Sequence, residues 1–197
     1  MSNEIEYRRH VIKTMTSAGE WKARALRGTR VASETVVGPT RDAAVLAVKE
    51  FLDERAAELR SKRGPDGYPS VEEVRDALEQ IVIGRSQRTM LEAHLEAPDR
   101  ILTATQLAEA AGYDDYVVAN SQYGGLGRAL AEEMEWEPAE RSDGLPIWTF
   151  ALATDADHDA RKRGIEVTGH WRWQLRPQVA EAYSQVRGGR ARLRLNL

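Results

Sequence analysis

Residues Ile101–Leu130 read ILTATQLAEAAGYDDYVVANSQYGGLGRAL, and the punctuation of this stretch decides the fold. Thr103 followed three residues later by Gln106 is a capping box, which satisfies orphan amides at the start of a helix. Gly112 suits the left-handed conformation that ends one. A second helix follows from about Val117 to Glu135. Ala108 lies four residues before Gly112, and a small residue there lets the second helix cross the first closely. The polar run in the second helix raises the question of what Asn120, Ser121, Gln122 and Arg128 are laid out to touch.

The flanks extend the pattern. Upstream, Ser70 and Glu73 form another capping box, and Val71, Val74, Leu78 and Ile81 continue at helical spacing. A further helix spans about Ser86 to Ala97 and stops before Pro98. Downstream, IWTFALAT and HWRWQLR alternate, so Trp148, Phe150 and Leu152 share one face and Trp171, Trp173 and Leu175 another, predicting a two-stranded hairpin. The outer face of its second strand carries His170, Arg172, Gln174 and Arg176. The connection DADHDARKRGIEVTGH offers Arg161, Lys162 and Arg163 as phosphate contacts, opposed by Asp155, Asp157 and Asp159. Pro177 opens a short last helix.

The N-terminal third has strand chemistry. IEYRRHVIKTMTS, WKARALRG and TRVASETVVG predict three antiparallel strands, and Thr40 caps a helix with Val45, Val48, Leu52, Ala56 and Leu59 along one side. This is a small β-β-β-α unit whose free sheet face is expected to carry Arg8, Lys22, Arg24, Arg27 and Arg30, with Trp21 available to stack or to pack. The Pro- and Gly-rich SKRGPDGYPS is the linker. The expected division is a basic domain at 1–63, a linker at 64–70, a helix-rich domain at 71–186 and a basic tail at 187–197. The fold class is α+β.

Charge is unevenly spread over the 197 residues, whose net charge is −3. Tyr7 to Arg41 holds eight Lys or Arg against two Glu; Glu92 to Asp159 holds three against fifteen acids; Arg161 to Leu197 holds nine against two. Basic ends around an acidic middle point to polyanion contact at the ends. No apolar run approaches the ~20 residues of a membrane span, and no signal peptide opens the chain, so a cytoplasmic location is expected. Cysteine is absent, which removes disulfides and thiol chemistry. His10, His94, His158 and His170 are scattered, and no HExxH, nucleophile elbow or phosphate-loop ending appears, since GGLG lacks the Lys-Ser/Thr that a P-loop requires. No enzyme activity, metal or cofactor is expected. Three glycines, at 124, 125 and 127, each cost about 1 kcal/mol in a helix. A backbone approaching that side would explain them, whether a DNA strand, a partner helix or another part of this fold.

On these motifs, residues about 88–186 resemble a winged helix-turn-helix DNA-binding domain. The resemblance makes Val118–Leu130 the recognition helix, with Asn120, Ser121, Gln122 and Arg128 as base or phosphate contacts, and the 155–170 connection the wing. The pattern of LTATQLAEAAGY, ANSQYGGLGRAL, IWTFAL and WRWQLRP is also similar to a domain of uncharacterised bacterial and phage proteins, sometimes joined to restriction-type nuclease modules. The N-terminal unit looks similar to β-β-β-α modules of integrase arms and double-stranded-RNA binders, though a basic sheet of this kind also serves dimerisation. Asp114, Asp115, Glu132 and Glu133 depart from the basic recognition region of that family. The leading expectation is a non-enzymatic binder of double-stranded DNA, a regulator or a phage- or defence-related factor. The alternative is a phage-type anti-defence inhibitor whose acidic middle mimics DNA and binds a basic protein, such as a nuclease or a DNA-binding complex.

Overall fold

Two-residue turns at 8–9, 18–19 and 28–29 fold the start of the chain into an antiparallel meander. A computed structural model describes residues 3–195, with side chains to 188. It divides into two compact units, Met1–Tyr68 and Pro69–Leu197. In the first, β1 (Glu4–Tyr7), β2 (His10–Ser17), β3 (Glu20–Arg27) and β4 (Arg30–Val31) lie in sequence order, and β5 (Val36–Gly38) also pairs with β3. The sheet therefore has five strands where three are predicted. IEYRRHVIKTMTS breaks in the middle: Tyr7 pairs with His10, and Arg8 and Arg9 both take positive φ, 44° and 56°, as a tight hairpin requires. Nothing but arginine marks that turn in the sequence.

Helix α1 (Arg41–Ser61) begins at Thr40, whose hydroxyl accepts the Ala43 amide at 3.2 Å. Its Ala44, Val45, Val48 and Leu52 pack on Ile12, Ala23 and Ala25, with Ile5, Tyr7 and half-buried Trp21 at the margin. Trp21 therefore packs. Because side chains alternate across a strand, Lys13, Met15, Lys22 and Arg24 fall on the opposite, open face.

The second unit opens with α2 (Val71–Gln80) and α3 (Arg85–Glu96), then β6 (Ile101–Thr103), α4 (Ala104–Ala111) and α5 (Tyr116–Glu133). The local signals hold: capping boxes form at Ser70 and Thr103, and Gly112 ends α4 with φ 74°. After α5 come β7 (Ala153–Asp155), α6 (His158–Lys162), β8 (Arg172–Leu175) and α7 (Pro177–Leu195). The sheet order is β6-β8-β7, all antiparallel, with Ile101 opposite Gln174 and Ala153 opposite Leu175. The predicted two-stranded hairpin is thus three-stranded. Trp148–Ala151 is a 3-10 turn and not a strand, so Trp148 and Phe150 do not share a sheet face with Leu152. Helix α7 absorbs the start of the predicted basic tail at 187–197: Arg187 pairs with Glu96 at 3.1 Å. The tail's Arg190, Arg192 and Arg194 side chains and residues 196–197 lie outside the described residues.

His94 sits at the centre of this unit. It is fully buried, with Nδ1 2.8 Å from the Tyr123 hydroxyl of α5 and Nε2 3.0 Å from the Trp173 carbonyl of β8. A carbonyl only accepts, so Nε2 carries the proton and Nδ1 accepts from Tyr123. Burial pushes the His94 pKa down and the Tyr123 pKa up, which keeps both neutral. One imidazole thereby ties α3, α5 and the sheet together.

Candidate nucleic-acid interface

Helix α5 presents the residues singled out above. Ala119, Tyr123, Leu126, Gly127, Leu130 and Ala131 are buried, which turns Val117, Asn120, Ser121, Gln122 and Arg128 outward. Asn120, Ser121 and Gln122 make no side-chain hydrogen bond among the described residues; the Gln122 backbone carbonyl accepts from Gln87 Nε2 at 3.0 Å. The neighbouring acids have local roles. Asp115 caps α5, accepting the Val117 amide at 2.8 Å where the helix dipole favours a negative charge, and Glu132 pairs with Arg128 at 2.7 Å.

The three glycines divide. A Cβ on Gly127 would stand 2.2 Å from the Trp148 carbonyl oxygen, whereas one on Gly124 or Gly125 would meet nothing nearer than 3.9 and 3.8 Å. Of the three neighbours open from the sequence, the fold itself takes Gly127. The other two floor a groove of about 500 Å³ between α5, the 146–149 segment and the start of β8, walled by Tyr116, Trp148, Trp171 and Trp173. Trp171 is 43% exposed, so the face it shares with Trp173 and Leu175 is not fully covered. No sequence signal joins these walls, which come from segments far apart in the chain.

The cations of the connection between β7 and β8 are mostly engaged. Arg161 pairs with Asp155 at 3.0 Å and Asp157 at 3.8 Å and lies over the Trp171 ring, 4.3 Å from its centroid. Arg172 forms an ion pair with Asp157, and this hydrogen bond, followed by the charges of Arg172 and Arg161, holds the Asp157 carboxyl below the usual range against the opposing effect of burial. Arg163 donates to the Asp159 carbonyl, while Lys162 is exposed. Arg176 is structural: its Nε donates to the Phe150 carbonyl at 2.7 Å, and its guanidinium lies over Trp136.

In the first unit, the open sheet face brings together Lys22, Arg24, Lys13 and the exposed Met15 and Val37. Lys13 pairs with Glu4 at 2.9 Å, and Lys22 and Arg24 have no ion pair among the described residues. The other three expected there are elsewhere. Arg8 lies in the first turn, ion-paired to Asp53 of α1, which also accepts from the Tyr7 hydroxyl. Arg27 and Arg30 oppose each other in register and share the parity of the helix-covered face, at its edge. Among the described residues no cluster of His, Asp or Glu is arranged to hold a metal, and no helix is long and apolar enough to cross a membrane. A comparison of the chain with protein-family models, curated proteins and solved structures finds no match.

Proposed function

We propose that the chain is a non-enzymatic binder of double-stranded DNA, in which the second unit acts as a winged helix-turn-helix. The supporting observation is the run helix–strand–helix–turn–helix–strand–helix–strand with sheet order β6-β8-β7, in which the Asn120, Ser121 and Gln122 side chains of α5 are exposed and uncommitted. On this reading α5 is the recognition helix. Asn and Gln side chains match the donor and acceptor edge of adenine in the major groove, and exposed Val117 suits a thymine methyl. Lys162 and, in the first unit, Lys22 and Arg24 supply phosphate contacts that fix position without reading sequence.

Fluorescence anisotropy of the whole chain on labelled duplexes at about 50 and 200 mM salt tests this, since neutralising phosphates releases counterions and makes affinity fall steeply with salt. Lys22→Ala and Arg24→Ala should each weaken all duplexes alike and lower the salt slope by about 1, whereas Gln122→Ala should cost about 1–3 kcal/mol on a selected site only. Unchanged affinity in the triple variant Lys22→Ala, Arg24→Ala, Lys162→Ala would remove the phosphate reading.

A second reading is favoured by charge. The second unit holds 15 Lys or Arg against 21 Asp or Glu, and the first holds 13 against 10. An acidic unit of this kind suits a basic protein surface, such as that of a nuclease or DNA-binding complex, as a nucleic-acid mimic. It requires that reversing Glu132, Glu133, Glu135 and Glu137 to lysine abolish a salt-sensitive protein complex, and a complex that survives the reversal refutes it.

A further inference from the structure

We infer that the groove beside α5 holds an unpaired nucleobase with its phosphate, a ligand that duplex reading by α5 does not call for. The inference builds on the nucleic-acid reading above and assigns a distinct chemistry to a groove that shares Asn120 and Ser121 with the face read there as duplex-binding. Four aromatic rings, Tyr116, Trp148, Trp171 and Trp173, line one groove of about 500 Å³, within the ~300–1,000 Å³ of small-molecule sites. Such rings accept any base because every base has a π face. Guanidinium groups lie over two of the indoles, Arg161 at 4.3 Å from the Trp171 centroid and Arg128 at 5.6 Å from that of Trp148, each also paired with carboxylates of its own neighbourhood.

The polar groups fit the rest of a nucleotide. Asn120 reaches the same groove with an uncommitted amide, whose donor and acceptor can pair with the edge of a base, and Ser121 adds a hydroxyl. Charge argues for an anion: the lining includes the Arg141 guanidinium and not one Asp or Glu, in a unit that carries 21 of them. Arg141 is shared with Asp143 at 3.4 Å on an exposed turn, where a phosphate can compete for it. Gly124 and Gly125 keep the floor low, so a flat ring can descend between the walls. An apolar peptide would fit the aromatic walls, as proline-rich segments fit such grooves, but has no use for the Arg141 guanidinium at the rim.

The test is intrinsic tryptophan fluorescence of the full chain, titrated with deoxyadenosine monophosphate, an eight-nucleotide single strand, a blunt duplex, and that duplex with one unpaired base. Quenching by the single strand or by the unpaired base, beyond that of the blunt duplex, is expected; quenching by the monophosphate as well marks a free nucleotide as ligand. Trp171→Ala should weaken that binding on the order of 10-fold, the loss typical of one stacking partner, and Trp171→Phe should restore most of it. Asn120→Ala provides a second variant if Trp171→Ala does not fold. Blunt-duplex binding that an unpaired base does not improve, with no response to the monophosphate or single strand, overturns the inference and leaves the duplex reading standing. The reverse pattern upholds the inference and removes the duplex reading. Quenching by a proline-rich peptide and by no nucleotide overturns it in favour of a peptide groove.

Discussion

Alanine at Gly127 should destabilise the second unit although alanine is the better helix former. In an open helical position the exchange stabilises by about 0.4–1 kcal/mol, through helix propensity and a less flexible unfolded chain. At Gly127 the added Cβ stands 2.2 Å from the Trp148 carbonyl oxygen and 2.8 Å from its carbon. Those are backbone atoms of the 3-10 turn packed on α5, so no rotamer change relieves the clash. Overpacking of this kind costs about 1–3 kcal/mol, and after the propensity gain a net loss of ~1–2 kcal/mol remains. Gly124→Ala and Gly125→Ala meet only ordinary contacts and should gain up to ~1 kcal/mol each. Thermal unfolding by far-UV circular dichroism reads the difference: at about 4 °C per kcal/mol for a unit of this size, Gly127→Ala should melt roughly 4–8 °C lower and the other two slightly higher. Equal shifts for all three would refute the assignment of Gly127 to the Trp148 backbone.

Two further outcomes concern His94 and Thr40. Because burial lowers the His94 pKa, the unfolded chain takes up a proton at its normal value of about 6.5 while the folded chain resists, so its contribution is complete above that pH and is lost as pH falls toward the folded value. Urea melts should therefore show falling stability from pH 7 to 5, and a curve as flat as that of His94→Gln over that window would contradict the buried neutral imidazole. In the first unit, Thr40→Ala removes the cap of α1 and should cost about 1 kcal/mol, with Thr40→Ser close to wild type, read from urea melts followed by far-UV circular dichroism; equal stability of the two variants would argue against the cap.

What could be read in the sequence was local. The caps at Thr40, Ser70 and Thr103 and the left-handed Gly112 each depend on residues within four positions of one another, and all four form. The turn at Arg8 and Arg9 was hidden because its residues are not the usual ones for positive φ. The Trp148–Ala151 turn has the sequence of a strand because a short alternating run fits both, and β6 leaves no signal because three residues carry no period. The expected site residues Asn120, Ser121 and Gln122 lie on one helix and stay together, while Arg8, Arg27 and Arg30 leave the sheet face through the break at residue 8 and through strand parity. The groove and the His94 bridge join segments up to 79 positions apart, such as His94 and Trp173, and composition alone does not reveal such meetings.

The ten-residue spacing of the hairpin turns bears on how the chain acquires its structure. In the first unit each of β1 to β4 pairs with the strand next to it in sequence, so the loops to be closed hold two residues and the entropy lost before the first contacts form is small. In the second unit β6 pairs with β8, and Ile101 meets Gln174 across all of α4, α5 and the groove wall, a much larger loop to close. Local pairing is fast and distant pairing slow. On topology alone, the meander is expected to form early and the aromatic groove late.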